Sequence, residues 1–248
     1  ISDVMYSQSQ SNLIESVYGT ISNSGAMPSP EFFHERAILT LRNNDIRTLN
    51  SSILALLPGN EHTYTSADSS SIDSPMQHQN MNIPIEFLHT LNTSGLPIAH
   101  LRLKVGCPII LLCNIDTKQG LCNGTCATIL QMSNYLLKIC LITGDHTGET
   151  ALIPQITLSP SVTGLDFAIK LNKWQFPVQL AFAMMINKAQ GQTVNQIGID
   201  LRKPVFAHGQ LYVAFSHATS SQHIKVLLPP ESQVRKMRNV IYSEILLD

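Results

Sequence analysis

The sequence contains no Gly-Lys dipeptide, which excludes a phosphate-binding loop ending in Gly-Lys-Ser or Gly-Lys-Thr within its 248 residues. It also has no Gly-x-Ser-x-Gly elbow and no His-Glu-x-x-His pair, so two common hydrolase signatures are missing. No apolar run approaches the roughly 18 residues of a membrane-spanning helix, and no membrane partner is expected. The residues therefore offer no complete catalytic motif.

Charge is also scarce. Only 13% of the residues are charged and the formal net charge is −1, which argues against a globally basic nucleic-acid binder. One stretch, residues 186–225, has four cations against one acid and fits either a nucleic-acid contact or an ordinary solvated face. These charged residues are Lys188, Asp200, Arg202, Lys203 and Lys225.

The five cysteines lie between residues 107 and 140, and no two of them form a Cys-x-x-Cys pair. No His pair at zinc-ligand spacing lies nearby, so buried free thiols in a β-rich segment are predicted in preference to a metal site. Free thiols also favour a reducing compartment. We therefore expect no bound metal.

The first third of the chain mixes polar and structured segments. Residues 1–34 are rich in Ser, Asn and Gln, lack a signal-peptide pattern and begin at Ile1, so we expect the tail of an upstream domain and a linker, in a piece of a longer polypeptide. Residues 37–41 predict a buried strand, and apolar residues at helical spacing from 46 to 57 predict a helix capped by Asn43 or Asn44. Residues 60–81 are polar and predict a loop.

The following residues predict a change to β-structure. From 84 to 159, short apolar runs are broken by turn signals, a pattern typical of a small antiparallel barrel or curled sheet. Trp174, the one tryptophan, is expected to pack in a core, with base stacking as the alternative. Residues 234–247 predict a terminal helix of mixed charge.

The most informative stretch runs from Gln179 to Thr219. It is apolar from 180 to 186, polar from 187 to 193, apolar again from 197 to 201, and helix-like from 208. A strand, polar loop, strand and helix in this order indicate an α/β nucleotide-binding layer. The polar loop follows a strand, where open α/β sheets place ligands, and Gly191 allows close backbone approach.

This stretch resembles motifs V and VI of superfamily-one DNA helicases, most closely the Pif1 family and the helicase part of Helitron rolling-circle transposons. The family blocks read roughly Ile-His-Lys-Ser-Gln-Gly-Gln-Thr and Gly-Gln-x-Tyr-Val-Ala-Leu-Ser-Arg-x-Thr-Ser. Residues 37–43 with Asn50 are similar to motif IV, and residues 103–125 are similar to the family's 2B subdomain. Two departures from the family blocks matter, because Asn187 replaces a histidine and His217 replaces an arginine.

The resemblance implies an α/β fold: the RecA-like second half of a P-loop NTPase helicase motor, with an inserted Src-homology-3-like β-barrel. Residues 35–82 and 168–230 would form the RecA-like domain 2A. Residues 83–167 would form the barrel domain 2B, and residues 231–248 the terminal helix.

The resemblance also implies roles for individual residues. For two sets of residues a role without a ligand stays open: Arg42 also fits an ordinary surface arginine, and Asn114 and Asn123 of the 2B region also fit turn formation. Two residues would face the phosphates, His217 at the arginine-finger position and Arg42. The nucleotide-binding residues would be Gln190, Gly191 and Gln210. The DNA-binding residues would be Asn187, Lys188, Thr193, Asn114, Asn123 and Thr125.

The function that the resemblance implies is that of the C-terminal part of an ATP-dependent DNA helicase. ATP and Mg²⁺ would bind the full-length parent, not this chain alone, and the partners would be single-stranded DNA and a missing N-terminal RecA-like domain. Because an imidazole lacks the planar, two-pronged donors of an arginine, His217 predicts slow or absent ATP hydrolysis. The alternative is a non-catalytic single-strand-binding or relic module of a decayed Helitron. A nuclear location follows from the resemblance alone.

Overall fold

The structure is a computed structural model that describes residues 2–72, 84–90, 95–159, 169–189, 194–218, 220–229, 239–240 and 242. The α-helices are α1 Gln10–Ser24, α2 Pro30–His34, α3 Asn43–Leu56, α4 Ile85–Thr90 and α5 Gln210–Ser216. The strands are β1 Tyr6–Ser7, β2 Arg36–Thr40, β3 His62–Thr65, β4 Ala67–Ile72, β5 His100–Leu103, β6 Pro108–Leu111, β7 Cys126–Met132, β8 Leu136–Leu141, β9 Thr150–Pro154, β10 Ile156–Leu158, β11 Ile169–Gln175, β12 Val178–Leu180, β13 Ala183–Met185, β14 Gln196–Asp200 and β15 Ile224–Leu227. No helix in these ranges is long and apolar enough to cross a membrane.

The chain divides into two compact units, the first unit with residues 1–58 and 181–248 and the second unit with residues 59–180. The first unit contains a five-stranded sheet in the order β1-β15-β14-β2-β13. Every neighbouring pair in it is parallel. Buried apolar strands such as β2 suit a parallel sheet, whose two faces are normally covered.

Helix α1 packs on this sheet in the first unit. Its residues Leu13, Val17 and Tyr18 are buried, and a Cβ on Gly198 of β14 would lie 3.1 Å from the side chains of Leu13 and Val17. The glycine therefore allows the helix to approach the strand closely. The Tyr18 hydroxyl donates to the Phe182 carbonyl at 2.8 Å, so the buried phenol is also satisfied.

The edge strand β13 is held by a buried side chain of α3. The Asn50 amide donates to the Ala183 carbonyl at 3.2 Å, and its carbonyl oxygen accepts from the Ala183 N–H at 2.7 Å. Because β13 ends the sheet, these bonds replace those that a further strand would make. Asn50 is the asparagine of the motif IV resemblance, and its place here is structural.

Replacing Asn50 with leucine is expected to lower the free energy of unfolding of the first unit by about 2–4 kcal/mol, because two buried backbone groups would lose their partners. Chemical denaturation followed by far-ultraviolet circular dichroism measures this change. Asn44→Leu, at an exposed position in the same helix, should stay within about 0.5 kcal/mol of the parent. Equal effects of the two substitutions would contradict the role given to Asn50.

The second unit is built from short antiparallel strands. One sheet has the order β12-β6-β7-β8-β9, a second has β10-β11-β4, and β3 pairs with β5. The β7–β8 pairing shifts between Ile129 and Gln131, a β-bulge that bends the strand. These short strands fit the predicted curled sheet, and its classification as a Src-homology-3-like barrel stays a prediction.

Several sequence expectations differ from the structure. Residues 1–34 are not a linker, since β1 pairs with β15 and α1 buries its apolar face on the sheet. The N-cap residue of α3 is Arg42, not the expected Asn43 or Asn44, and its side chain makes no capping hydrogen bond. Residues 60–81 include β3 and β4, and the second unit extends over 59–180 instead of 83–167. The predicted terminal helix lies almost entirely outside the described residues.

The single tryptophan and the five cysteines were also assigned environments from the sequence. Trp174 is among the exposed large side chains, so the expectation of core packing is wrong. All five cysteines are free thiols, as predicted, but only Cys107 and Cys126 are buried, so the expected burial is wrong for the other three. Burial raises the pKa of Cys107 to about 12, because the thiolate would lose its hydration inside the protein.

Candidate functional site

Four parallel strands of the first unit end at the same level. Thr40 at the end of β2 pairs with both Met185 of β13 and Asp200 of β14, and Asp200 in turn pairs with Leu227 of β15. Residues that follow these four positions therefore leave the sheet at one edge. The carboxyl edge of a parallel sheet is where open α/β folds bind their ligands.

Three of the predicted site residues leave the sheet at this carboxyl edge. Arg42 follows β2 and is exposed, immediately before α3 begins. Asn187 and Lys188 lie in a 3₁₀ turn, Ile186–Lys188, directly after β13, where Asn187 is exposed and Lys188 is half-buried. The predicted residues Gln190, Gly191 and Thr193 continue this segment and lie outside the described residues.

Lys188 is partly desolvated. Burial lowers the pKa of its ammonium group, because part of the side chain is removed from water. No carboxylate in the described part of the chain forms an ion pair with it. A cation in this state would gain from an anionic partner such as a phosphate.

Arg202, also at the carboxyl edge, is already neutralised. Its guanidinium donates through Nη2 to Oδ2 of Asp200 at 2.6 Å and through Nε to Oδ1 at 2.9 Å, and the Asp200 side chain is buried. These hydrogen bonds raise the pKa of Arg202, and the charge of Asp45 in the first turn of α3 adds to the effect. The weak basic stretch of the sequence thus has one fewer available cation than its composition suggests.

The helix-like segment at residues 210–216 is α5, which packs against the 3₁₀ turn of Lys188. Gln210 at its start is buried, and its side-chain oxygen accepts from the Phe206 N–H at 3.2 Å. His217 at its end is only 5% exposed, and its carbonyl accepts from the Val194 N–H at 3.0 Å. The polar stretch after β13 and the segment of α5, which are predicted to share a site, are therefore in contact. The side chains of Gln210 and His217 are buried.

The three predicted DNA contacts of the second unit lie in one loop. The Asn114 side chain accepts from the Asn123 N–H at 2.8 Å. The Thr125 hydroxyl donates to the Gly120 carbonyl at 2.9 Å and accepts from the Cys122 N–H at 3.3 Å. Asn114 and Thr125 thus fix the loop, as turn-forming residues do, while the Asn123 side chain remains exposed.

No group of three or more His, Cys, Asp or Glu side chains in the described ranges could hold a metal ion. The sequence interpretation missed the Asp200–Arg202 pair, although the Asp-x-Arg spacing directly after an apolar strand was available as a signal. It also missed the ability of Asn50 to satisfy an edge strand, which requires the tertiary contact.

Comparisons with known proteins find similarity to DNA helicases. Residues 86–132 match the family model of the DNA helicase Pif1 2B domain. The ATP-dependent DNA helicase PIF1 of Rattus norvegicus is 31% identical over 193 residues, covering 76% of this chain and 27% of the relative. The Homo sapiens protein is 30% identical over 199 residues, covering 76% of this chain and 26% of the relative. The chain thus spans about a quarter of the length of these curated relatives.

Solved structures share the fold. A Pif1 helicase from Candida albicans has a TM-score of 0.60 at 21% identity, covering 95% of this chain and 56% of that one. A Pif1 helicase from Bacteroides in complex with ADP-AlF3 and ssDNA has a TM-score of 0.59 at 19% identity, covering 96% and 49%. These matches confirm the mixed α/β, RecA-like fold class. The family model and the curated relatives thus show similarity to Pif1 helicases, and the solved structures show a shared fold.

Proposed function

We propose that this chain is the 2A and 2B portion of a Pif1-like ATP-dependent DNA helicase and that it contacts single-stranded DNA. The proposal rests on how the chain aligns with solved Pif1 helicases, because nearly all of this chain matches about half of each of them. The sequence of this chain contains no phosphate loop. In RecA-like motors one domain holds the nucleotide phosphates and a second supplies cations that stabilise the developing charge. This chain has the features of the second domain.

ATP and Mg²⁺ would be held chiefly by an N-terminal RecA-like domain, and we expect neither to bind tightly to this chain alone. The residues present fit only part of a phosphate site. Arg42 is exposed at the carboxyl edge and can meet a phosphate, whereas Arg202 is occupied by Asp200. Within the proposal, Arg42 is therefore the main phosphate-facing residue of this chain.

The DNA contact is proposed for the segment after β13. Asn187 is exposed there, and the partly desolvated Lys188 fits a backbone phosphate better than it fits water. Gln190, Gly191 and Thr193 join this segment through the family resemblance. In the second unit, Asn123 is the residue of the loop whose side chain is available, and Asn114 and Thr125 would act by fixing the loop.

Lys188→Met is expected to lower the affinity for oligothymidine severalfold and to reduce the slope of log affinity against log salt by about 0.7, the value for one phosphate contact on a single strand. Fluorescence anisotropy of a labelled strand, titrated at several salt concentrations, measures both quantities. The methionine keeps the apolar stem and removes a desolvated charge, so thermal stability should stay equal or rise.

Lys225→Met provides the matched control, because it removes the same charge from β15 before the carboxyl edge. This variant should keep the parent slope. If the parent binds no oligothymidine at low salt, the DNA-binding proposal fails. If the two lysine variants behave alike, the assignment of the contact to Lys188 fails.

A second candidate function has two observations in its favour. The chain lacks a Gly-Lys dipeptide, and His217 is a covered imidazole at the arginine-finger position. A non-catalytic single-strand-binding or relic module of a decayed, nuclear Helitron would retain DNA binding without ATP hydrolysis. ATP turnover by the complete polypeptide, measured with and without oligothymidine, separates the candidates: DNA-stimulated hydrolysis supports the helicase, and binding without hydrolysis supports the module.

A further inference from the structure

Strand β11 of the second unit reverses the usual placement of its side chains. Lys173 is 1% exposed, whereas its neighbour Trp174, the only tryptophan of the chain, is 38% exposed. Lys173 pairs across the sheet with Asp68 and Trp174 with Ala67, so each pair lies on one face. Sites where a sequence breaks local preferences are often functional, and an outward tryptophan beside an inward lysine is such a site.

A second exposed aromatic ring lies beside Trp174. Tyr135 is 66% exposed, and its ring centroid is 6.0 Å from that of Trp174 with an interplanar angle of 40°. The two residues come from different elements, since Tyr135 lies in the turn between β7 and β8. Two neighbouring exposed aromatic rings can receive successive planar groups.

The turn that carries Tyr135 is held from both sides. The Ser133 N–H and hydroxyl both donate to the Leu136 carbonyl, at 3.0 and 2.8 Å. The hydroxyl of the buried Tyr64 donates to the Ser133 carbonyl at 2.9 Å. Trp174 in turn lies on a strand paired on both edges. The rings are therefore positioned before any ligand arrives, which lowers the entropic cost of binding.

The charge around the two rings favours an anionic ligand. Strands β8, β9, β10 and β11 contain no acidic residue, and Lys173, which is paired with Asp68, lies on the face of the sheet opposite to Trp174 and does not contribute to this charge. Lys138 is exposed on β8, three residues beyond Tyr135, and pairs across the sheet with the exposed Leu152. Bases joined by phosphates combine the flat faces and the negative charge that this surface matches.

We propose that Tyr135 and Trp174 form a stacking platform for the bases of single-stranded DNA, with Lys138 beside it for a backbone phosphate. The inference rests on the proposed DNA-binding function and adds a site in the second unit that the motif resemblance does not include. It also reverses the preference, drawn from the sequence, for Trp174 as a core residue.

Because Trp174 is the only tryptophan, its fluorescence reports the site directly. Titration with oligothymidine should quench this emission to saturation, at the same concentrations that raise the anisotropy of a labelled strand. A strand of the same length with abasic sugars at every position should bind more weakly and quench little, since it offers phosphates without bases. Tyr135→Leu should weaken oligothymidine binding about tenfold, the effect of losing one stacking partner.

Phe87→Leu is the matched control, because Phe87 is an exposed aromatic residue of the same unit. It lies on α4, which contacts the Asp68 face of the sheet through His89, opposite to Trp174. This variant should bind like the parent, and Lys138→Met should reduce the salt slope by about 0.7.

The outcomes separate this inference from the broader proposal. If anisotropy shows binding but the tryptophan emission is unchanged, or if abasic and thymidine strands behave alike, the stacking platform is wrong and the DNA-binding proposal stands. If no strand binds by anisotropy, both fall. A concentration-dependent blue shift of the emission without DNA would show that a second protein copy covers the rings, and it would also overturn the inference.

Discussion

If the proposed function holds, replacing His217 with arginine should raise ATP turnover about a thousandfold in a complete polypeptide that joins this chain to a phosphate-loop domain. That factor corresponds to about 4 kcal/mol of transition-state stabilisation. An arginine finger places a planar, permanently charged donor pair on the γ-phosphoryl group, and an imidazole cannot reproduce that geometry. Steady-state phosphate release, measured with saturating single-stranded DNA, checks this expectation.

The burial of His217 gives this experiment a structural requirement. The side chain is 5% exposed at the end of α5, so an arginine must extend past its covering residues to reach a phosphate. Thermal melting of the variant shows whether the first unit accepts the larger side chain. His223→Arg, at an exposed position in the same unit, adds the same charge elsewhere and should leave turnover unchanged. A folded His217→Arg variant without gain would contradict the finger assignment.

Asp68→Ala should lower the free energy of unfolding of the second unit by about 3–5 kcal/mol. Oδ2 of Asp68 and Nζ of Lys173 form an ion pair at 2.8 Å, and the two side chains are 0% and 1% exposed. His89 approaches the same carboxylate at 3.9 Å. Removing the carboxylate would leave a buried ammonium group without its counter-charge, which is far more costly than losing the pair as a whole. Denaturation followed by the fluorescence of Trp174, next to Lys173, reports this unit specifically.

A double substitution tests whether the unpaired buried charge is the cause of the destabilisation. Asp68→Leu combined with Lys173→Met replaces the ion pair with apolar groups, and it should recover most of the stability lost in either single variant. Glu61→Ala breaks the exposed Glu61–Arg102 pair of the same unit and should cost no more than about 1 kcal/mol. If Asp68→Ala costs no more than Glu61→Ala, the buried pair does not have the role given to it.

The parallel layer of the first unit could be predicted from sequence because its signals are local. Strand β2 is a short, largely apolar run, and α3 repeats its apolar residues at helical spacing. Helix α1 has similar signals, with Leu13, Val17 and Ile21 four residues apart and Ser9 as its N-cap. Those signals were masked by the Ser- and Asn-rich composition, which suggested a linker.

The strand faces of the second unit could not be predicted from local sequence. Strand β4 reads Ala-Asp-Ser-Ser-Ser-Ile and has no apolar alternation, because its inward carboxylate is paired with Lys173, more than a hundred residues away in sequence. The placement of Trp174 follows from the same pairing, since an inward Lys173 turns its neighbour outward. Contacts of this kind decide the strand faces and cannot be derived from a single segment.

For the candidate site, the positions of the residues could be predicted from the sequence, but the exposure of their side chains could not. The order of strands and polar loops indicated that Arg42, Asn187 and Lys188 would follow strand ends, and the structure brings those ends to one edge. The availability of each side chain depended on packing. Arg202 is bound by Asp200, Gln210 by Phe206, and His217 is covered, so composition alone overstated the charge and polarity that the edge presents.

The central claim, that this chain is the nucleotide-facing second half of a helicase motor, is tested most directly by the coding sequence upstream of Ile1. We predict an in-frame Gly-Lys-Thr or Gly-Lys-Ser phosphate loop there, which would supply the half that hydrolyses ATP. A stop codon or an unrelated domain at that place would contradict the helicase assignment and leave only the proposed non-catalytic module.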